Sequence, residues 1–348
     1  MKFSDILRDW YSVNKRVLPW RATKDPYNIW LSEIILQQTQ VKQGLPYYND
    51  FTAIFPTIYD LAKASEEHVL KVWQGLGYYS RARNLHHTAK TIVEDLDGAF
   101  PKTYKDLIQL KGIGDYTASA IASICYDAPT AVVDGNVYRF LSRYFGIETP
   151  INTTKGINEF KALAQSLLPK TNIGDHNQAM MEFGSRQCKP KIPDCINCPL
   201  NTSCAALLHN KINLLPIKLN KIKTRTRHFN FLVVLSNKNK TLLEQRKEKG
   251  IWQNLFQFPL IETSSELNSN TFSSQKEVSE LFKGKPYQVS LYNEKEIVHR
   301  LSHQILLTKF WIVQIDELPY EGIDISKIQD FPVPILISNF MSSFNFNK

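Results

Sequence analysis

Four of the five cysteines in this chain lie in one stretch, "CKPKIPDCINCPLNTSC", over residues 188–204. Their spacing is C-x6-C-x2-C-x5-C, and they are Cys188, Cys195, Cys198 and Cys204. Three prolines in the same stretch disfavour a helix, so the four side chains can converge from a loop onto one centre. Four thiolates are the ligands of either a tetrahedral zinc ion or an iron–sulfur cluster.

The spacing favours the cluster. Zinc sites usually contain two short C-x2-C units separated by a longer gap, and this loop has one. The wider gaps suit a [4Fe–4S] cluster, with zinc as the alternative and disulfides less favoured in a reducing compartment. The fifth cysteine, Cys125, stands among apolar neighbours and is interpreted as an inert core thiol.

A second chemical signal is the stretch "LKGIGDYTASAI" at 110–121. Gly112 and Gly114 allow a tight turn between two helices, a helix-hairpin-helix arrangement. Backbone amides at such a helix start bind phosphate oxygens without reading bases. The alternative is an ordinary interhelical turn.

Two acids are candidates for proton and charge chemistry. Asp134 follows two valines in "AVVDGNVYRFLSR", where it fits a helix N-cap, a carboxylate near a developing positive charge, or both. Glu33 lies in the amphipathic "IWLSEIILQQTQ". An exposed helix glutamate would be inert, whereas partial burial would raise its pKa and make it a proton donor near neutrality.

Composition bounds the class of protein. The 348 residues carry a formal net charge of +9, which favours a polyanionic partner, nucleic acid before acidic membrane, although a basic soluble protein is also compatible. The N-terminal stretch does not resemble a signal peptide, and no segment approaches the ~18 apolar residues that span a bilayer. The apolar segment 305–315, interrupted by Lys309, predicts a strand pair.

The elements that must position these residues change in type along the chain. Asn28 is a candidate N-cap for the first predicted helix, and Ser65 is a start signal within the second. Apolar spacing predicts helices over 30–43, 57–77, 81–96, 103–110, 115–126, 135–146, 155–168 and 175–184. Strand patterns begin at Phe229. We therefore predict a helical region (1–208), a basic linker (209–227) and an α+β domain (228–348).

These residues together resemble a known family. The hairpin, Asp134 and the four-cysteine loop resemble the endonuclease III superfamily of DNA glycosylases. Within it, "LPWR" (18–21), "SEIILQQTQV" (32–41), "GLGYYSRARNLH" (75–86) and "VDGNV" (133–137) resemble the adenine DNA glycosylases. The resemblance covers nearly the whole chain. It implies a mainly α helix-hairpin-helix glycosylase fold with a [4Fe–4S] loop, followed by an α+β Nudix-like domain.

The resemblance also implies a reaction. The substrate would be double-stranded DNA containing adenine mispaired with 8-oxoguanine or guanine, and the adenine would be flipped out of the stack. Glu33 would protonate adenine N7, and Asp134 would stabilise the oxocarbenium-like sugar or trap it covalently. Water activated by Glu33 would complete hydrolysis, as with the paired carboxylates of sugar glycosidases.

Supporting roles follow by resemblance, position by position. Tyr116 and Asn136 would order the catalytic acids, and Arg21 and Gln178 would hydrogen-bond the flipped adenine. The residues implied to face the lesion strand are Gln38, Thr39, Leu76 and Tyr78, with Gln38 and Tyr78 inserting into the duplex. Tyr116 stands where the bifunctional lyases of the superfamily carry a lysine, so no Schiff base can form there. A monofunctional enzyme is expected, or at most weak strand scission by another lysine.

The C-terminal domain is expected to recognise the lesion and not to hydrolyse pyrophosphates. The stretch 273–284 has only Glu277 and Glu280 of the glutamates that a Nudix signature needs. The family reads 8-oxoguanine with a Phe-Ser-His loop, and the matching residues here are Leu301, Ser302 and His303.

Two alternatives stay open at this point: a pyrimidine-lesion lyase of the same superfamily, and a non-catalytic iron–sulfur protein that binds DNA. In either case the expected setting is a bacterial-type cytoplasm near the nucleoid. We expect a monomer without membrane association, and the sequence does not identify a protein partner.

Overall fold

The computed structural model describes residues 3–219 and 224–346. The chain divides into two compact units, Met1–Lys63 with Asn84–Asn220, and Ala64–Arg83 with Lys221–Lys348. The second unit thus includes a segment from the first third of the sequence. The domain boundaries predicted from the sequence stay predictions, and residues 220–223 of the predicted linker lie outside the described residues.

Helices make up the chain up to the cysteine loop and just beyond it. They are α1 Phe3–Asn14, α2 Pro26–Leu36, α3 Val41–Ile54, α4 Ile58–Lys63, α5 Glu66–Val72, α6 Ser80–Asp95, α7 Tyr104–Leu107, α8 Asp115–Tyr126, α9 Gly135–Phe145, α10 Thr154–Ser166, α11 Ile173–Arg186 and α12 Ala205–Leu208. Short 3-10 helices lie at Pro19–Arg21 and Asn201–Ser203. Within the described residues, none of the helices combines the length and hydrophobicity that crossing a bilayer requires.

Helix boundaries follow local capping chemistry, and three predictions are wrong. The predicted cap Asn28 lies inside α2, because Asp25 accepts from the Asn28 amide at 3.0 Å and Pro26 starts the helix. The predicted helix 30–43 is interrupted where Gln38 adopts a left-handed φ of 55°. The predicted helix 57–77 is divided at Ser65, whose hydroxyl caps α5. The prediction of 115–126 is confirmed.

The core of the first unit surrounds the aromatic side chains of α9 and α11. The ring centroids of Phe140 and Phe183 are 4.5 Å apart, and Phe160 is fully buried beside them. Two of the loop cysteines, Cys188 and Cys198, pack against this same cluster. The cysteine loop is therefore attached to the core through its side chains as well as its backbone.

The second unit is built on a mixed sheet. Its strands are β1 Arg225–Ser236, β2 Lys240–Thr241, β5 Leu260–Thr263, β6 Gln288–Leu291, β7 Ile297–Arg300, β8 Gln304–Ile315 and β9 Ile323–Asp324, while β3 Glu244–Gln245 and β4 Phe256–Gln257 form a separate hairpin. The helices of this region are α13 Ser269–Phe272, α14 Lys276–Phe282 and α15 Ile335–Ser343, with a 3-10 helix at Ile325–Asp330.

The two longest strands lie side by side at the centre. β1 and β8 pair in parallel over their whole length, with Phe231 opposite Phe310. The predicted strand pair over 305–315 is wrong, because one continuous strand covers the segment. Lys309 does not break this strand, since its buried ammonium donates to the Leu267 carbonyl at 2.9 Å and pairs with Glu266 at 2.7 Å. The predicted fold class, helical and then α+β, is confirmed.

Candidate active site

Three elements of the first unit bring together the predicted catalytic residues. Glu33 lies on α2, Tyr116 on the first turn of α8, and Asp134 caps α9. Glu33 is buried, and burial raises the pKa of its carboxyl to about 7. A hydrogen bond from Tyr116 lowers this pKa, and the nearby charge of Asp134 raises it. The two acids and Tyr116 therefore form one electrostatically coupled group.

Asp134 is held as an N-cap in the way its sequence position predicts. Its Oδ1 accepts from the backbone amides of Asn136 at 2.9 Å and Val137 at 2.8 Å. Its Oδ2 accepts from Asn136 Nδ2 at 2.6 Å. Burial raises the pKa of Asp134, while these hydrogen bonds lower it because they stabilise the carboxylate.

Asn136 also connects Asp134 to the start of the cysteine loop. Its Oδ1 accepts from Arg139 at 3.0 Å, and the same guanidinium donates to the carbonyls of Cys188 at 2.8 Å and Gly184 at 2.5 Å. A Cβ added at Gly184 would lie 2.4 Å from the Asn136 carbonyl oxygen, so the helices α9 and α11 approach closely here. The orientation of Asn136 is thus fixed from both sides.

Arg21 lies in a cluster that the sequence did not reveal. The fully buried carboxylate of Glu182 accepts from Arg21 Nη2 at 2.8 Å and from Arg16 Nε at 2.8 Å. Burial favours a raised pKa for Glu182, but the hydrogen bonds from Arg16 and Arg21 outweigh it and lower the pKa to about 2. Gln178, one turn before Glu182 on α11, accepts from the Tyr11 hydroxyl at 3.4 Å.

Sequence reasoning missed Glu182, Arg16 and Tyr11. One signal was present: Glu182 follows Gln178 by four residues, a spacing that places both on one face of a helix. The guanidinium carbon of Arg21 lies 5.6 Å from the centroid of the Tyr11 ring. The predicted adenine contacts Arg21 and Gln178 are therefore linked through the same small polar cluster.

The four loop cysteines line one cavity together with Phe140, Arg143 and Phe183. Arg143, itself buried, organises this loop by donating to the carbonyls of Lys189 at 2.7 Å and Pro190 at 3.1 Å and to Cys188 Sγ at 3.5 Å. In the part of the chain that the structure describes, no three His, Cys, Asp or Glu side chains are gathered as a single metal ion requires. The four cysteine side chains line one common space.

The predicted hairpin has the expected backbone. Gly112 has a φ of 79°, which favours glycine. A Cβ at this position would also lie 2.7 Å from Asn84 Cβ, so there is no space for a side chain. Gly114 caps α8. The exposed Asp115 at the first helical position pairs with Lys161 at 2.5 Å and accepts from Tyr104 at 2.6 Å, which offsets its charge beside the helix start.

Of the remaining predicted DNA contacts in the first unit, Gln38 is exposed at the left-handed turn after α2. The Thr39 hydroxyl donates to the Gln37 carbonyl at 3.2 Å. Gln38 is thus exposed just beyond the end of α2, whereas Thr39 is half-buried.

The predicted lesion residues of the second unit line one cavity of about 470 Å³. Leu301, Ser302 and His303 form the turn between β7 and β8, closed by a 2.8 Å hydrogen bond from the Leu301 amide to the Gln304 carbonyl. Tyr78 has a left-handed φ of 48°, and its hydroxyl hydrogen-bonds that of Ser302. Leu76 lines the same cavity but is buried.

Comparison with known proteins places this chain in a family. Residues 31–165 match the HhH-GPD superfamily of base excision DNA repair proteins, and residues 230–343 match a NUDIX domain. Adenine DNA glycosylase of Buchnera aphidicola subsp. Baizongia pistaciae is 36% identical over 89% of this chain and 86% of its own length. The human adenine DNA glycosylase is 44% identical over 59% of this chain and 39% of its own length.

The solved structures agree on the fold of the helical region. A thermostable thymine-DNA glycosylase superposes with a TM-score of 0.55 at 28% identity, covering 60% of this chain and 95% of the other. On the extent of its match to the bacterial relative, the chain belongs to the adenine DNA glycosylase family.

Proposed function

We propose that this protein removes adenine mispaired with 8-oxoguanine, or with guanine, from double-stranded DNA by hydrolysing the N-glycosidic bond. The observation that carries the proposal is the buried Glu33, whose pKa of about 7 keeps a proton available near neutrality. A carboxyl group with an ordinary pKa would be ionised and could not act as the acid.

The two carboxyl groups take different parts in the reaction. Protonated Glu33 donates to N7 of the extruded adenine, which makes the base a neutral leaving group. Asp134, anchored by two amides and Asn136, places negative charge beside the oxocarbenium-like sugar. Glu33, now ionised, accepts a proton from the attacking water, which completes the hydrolysis.

Tyr116 and Asn136 position these acids. Tyr116 hydrogen-bonds Glu33 and offers no amine, so the proposed enzyme is monofunctional. The Nδ2 atom of Asn136 donates a hydrogen bond to Asp134, while the Oδ1 atom of Asn136 accepts one from Arg139. Both residues act on the protonation and orientation of the catalytic carboxyls.

Adenine is selected by groups of fixed hydrogen-bonding character. A guanidinium such as Arg21 only donates, so it matches the ring-nitrogen acceptors of adenine and opposes the N1–H of guanine. The amide of Gln178 can donate and accept, which suits the adenine edge where an acceptor adjoins an amino group. Glu182 keeps Arg21 in place by accepting a hydrogen bond from its Nη2 atom.

Double-stranded DNA is bound by the hairpin amides at Gly112 and Gly114 and by the overall positive charge. Gln38, Thr39, Leu76 and Tyr78 face the lesion strand. Opposite the adenine, Ser302 and His303 address the N7–H and O8 of 8-oxoguanine, with Leu301 as an apolar contact. We expect a monomer that acts in the cytoplasm on nucleoid DNA.

Cys188, Cys195, Cys198 and Cys204 are proposed as the ligands of a [4Fe–4S] cluster. Four thiols around one cavity are the donor set that such a cluster takes, and Arg143 beside Cys188 provides a positive charge for the anionic ligand set. When bound, the cluster would supply a covalent cross-link of the loop. The chain's own part is to hold this loop against the α9–α11 core through Cys188 and Cys198.

The test is single-turnover cleavage of an 8-oxoguanine:adenine duplex followed by alkali, beside G:A and T:A duplexes. We expect strand cleavage at adenine in the first two and none in the third. Glu33→Gln should abolish cleavage while DNA binding persists, and the exposed Glu94→Gln should cleave normally. An intact adenine strand with wild-type protein would exclude the proposed reaction, and borohydride trapping of a protein–DNA adduct would indicate a lyase instead.

A further inference from the structure

The segment that leads into Asp134 has no regular secondary structure. Residues 127–134 connect α8 to α9, and among the residues that the structure describes no strand pairs with them. Ala131 and Val132 within this segment are buried. Because a buried backbone amide or carbonyl without a hydrogen-bond partner is costly, the segment needs partners other than a neighbouring strand.

Asn177, a buried residue of α11, supplies two of these partners. Its Nδ2 donates to the Thr130 carbonyl at 2.8 Å, and its Oδ1 accepts from the Val132 amide at 3.2 Å. A side-chain amide carries both donors and an acceptor, so it can bond two backbone groups as a neighbouring strand does. The same Nδ2 donates to Ser123 Oγ at 2.9 Å, so Asn177 also joins the segment to α8.

Gln165 on α10 bonds the segment in the same manner. Its Nε2 donates to the Pro129 carbonyl at 2.8 Å, and its Oε1 accepts from the Ala131 amide at 3.0 Å. Each side-chain amide thus bonds one carbonyl and the amide two residues further on, and the two sets of bonds alternate over residues 129–132. We call Gln165 and Asn177 the amide pair; Gln165 is exposed and Asn177 is buried.

The helix that carries Asn177 packs closely on the helix that carries Tyr116. Asp127, the C-terminal cap of α8, accepts from the Ile173 amide at the start of α11 at 2.6 Å. A Cβ added at Gly174 would lie 2.7 Å from the Ser123 carbonyl oxygen, so there is no space between α11 and the end of α8. The position of Asn177 is therefore fixed relative to α8.

The N-cap bonds of Asp134 do not by themselves fix its distance from Glu33. They come from amides of α9 and orient the carboxylate relative to that helix. Glu33 lies on α2, and Gln37 at the end of α2 donates to Thr117 on α8 at 3.2 Å. The bonded stretch 129–132 connects this α2–α8 support to Asp134, two residues further on.

We propose that Gln165 and Asn177 are positioning residues, which hold the segment that places the Asp134 carboxylate beside the sugar of the target nucleotide. The part given to Asp134 rests on the proposed function. Loss of either side-chain amide leaves two backbone groups of the segment without their partner, so the segment shifts and Asp134 shifts with it. A misplacement of about 1 Å can slow a reaction by about a hundredfold, whereas the duplex is bound by other residues.

The experiment compares two variants of the amide pair with two matched controls. The variants are Gln165→Leu and Asn177→Asp, which keeps the shape of the side chain but loses its donors. The control for the exposed amide is Asn152→Leu, since exposed Asn152 likewise bonds the backbone amide of Leu219 at 2.9 Å and its carbonyl at 3.0 Å. The control for the buried amide is Asn230→Asp in the second unit, because Asn177 and Asn230 are both 2% exposed.

Two measurements are made on each protein after thermal melting verifies its fold. The first is the single-turnover rate on the 8-oxoguanine:adenine duplex, beside the dissociation constant of that duplex. The second is the ratio of dissociation constants for duplexes in which the target nucleotide is replaced by a cationic pyrrolidine or by a neutral tetrahydrofuran analogue of the sugar. A correctly placed carboxylate favours the cation, so this ratio reports the position of Asp134 without any reaction. A purely structural role would not change it.

Both variants of the amide pair should slow cleavage by about tenfold to a hundredfold, while the dissociation constant of the mispaired duplex changes by less than about twofold. Their preference for the cationic analogue should fall by about tenfold. The two controls should keep the wild-type rate and preference. If Asn177→Asp does not fold, Gln165→Leu decides alone.

A folded Gln165→Leu protein with the wild-type rate and preference would overturn the proposal, and so would equal losses in the controls. These results are distinguishable from a failure of the proposed function. A wild-type protein without any preference for the cation would contradict the part given to Asp134, and this inference with it. A wild-type preference that persists in both variants would contradict this inference alone.

Discussion

The Tyr116 hydroxyl donates a hydrogen bond to the Glu33 carboxyl, and the Sδ atom of Met181 lies 3.4 Å from the same hydroxyl. A hydroxyl has one proton to donate, so it serves Glu33 best when that carboxyl is ionised. When Glu33 is protonated, the thioether is a second, weaker acceptor. Tyr116 is therefore placed to follow the change of charge that Glu33 undergoes in the proposed reaction.

The pH dependence of base release should report the Glu33 pKa. The active form carries a proton on Glu33, whose pKa is about 7, so the single-turnover rate should fall about tenfold per pH unit above that value. At low pH the rate should also fall, because Asp134 must be ionised and burial raises its pKa above the ordinary value. DNA binding is measured in parallel at each pH. A rate that is constant from pH 6 to 9 would contradict an acid role for Glu33.

Tyr116→Phe should move this profile in a defined direction. The hydrogen bond from Tyr116 lowers the pKa of Glu33, so its removal raises that pKa and shifts the alkaline limb of the rate profile upward by about one pH unit. The control is Tyr104→Phe, which removes a hydroxyl bonded to Asp115 and leaves Glu33 untouched. A shift to lower pH, or the same shift in both variants, would exclude this role for Tyr116.

Burying Glu33 should also reduce the stability of the fold. The folded pKa of about 7 lies above the unfolded value of about 4.5, so the folded state binds more protons between these values and loses stability as pH rises through them. Glu33→Gln should therefore raise the free energy of unfolding at pH 8 by the order of 2 to 3 kcal/mol, and by less at pH 5.

The measurement is urea unfolding at the two pH values, with the exposed Glu94→Gln as the control. The control should change the free energy of unfolding by no more than about 0.5 kcal/mol at either pH. If Glu33→Gln destabilises the protein at pH 8, the carboxylate is better solvated than the structure indicates.

Much of the candidate site could be predicted because its signals are local. The Gly112–Gly114 turn, the Asp134 cap and the cysteine spacing each depend on residues close together in sequence. The break after α2 lies in the polar residues 37–40, between Leu36 and Val41, where apolar spacing alone still allows one continuous helix. It depends on a left-handed turn that only the folded chain fixes.

Other features were missed because their partners are distant in sequence. Glu182 and Arg16 are 166 residues apart, and no sequence pattern in either segment indicates that they are in contact. The compact unit that joins residues 64–83 to the sheet is equally non-local, since Lys71 donates to the Phe331 carbonyl at 3.2 Å and Gln74 accepts from the Val333 amide at 2.9 Å. Patterns of one segment predict its type and its caps, but not the segment it will contact.

Replacing Glu182 should affect both stability and adenine recognition. Its carboxylate is fully buried and bonded to Arg16 and Arg21, so Glu182→Gln leaves two guanidinium groups without their counter-ion and should lower the free energy of unfolding by about 3 kcal/mol. Because the folded pKa of Glu182 is about 2 and the unfolded value about 4.5, the contribution of Glu182 to stability is complete above about pH 5 and declines as pH falls toward 2.

The matched control is Asp5→Asn, which breaks the exposed ion pair with Arg8 and should cost less than about 1 kcal/mol. Unfolding is measured at pH 7 and pH 3.5, and the difference between wild type and Glu182→Gln should narrow at the lower pH. In folded Glu182→Gln protein at pH 7, Arg21 loses its partner and should bind adenine less well. The substrate concentration needed for half-maximal cleavage should therefore rise more than the maximal rate falls. Unchanged stability together with unchanged cleavage would show that Glu182 does not hold Arg21 for adenine.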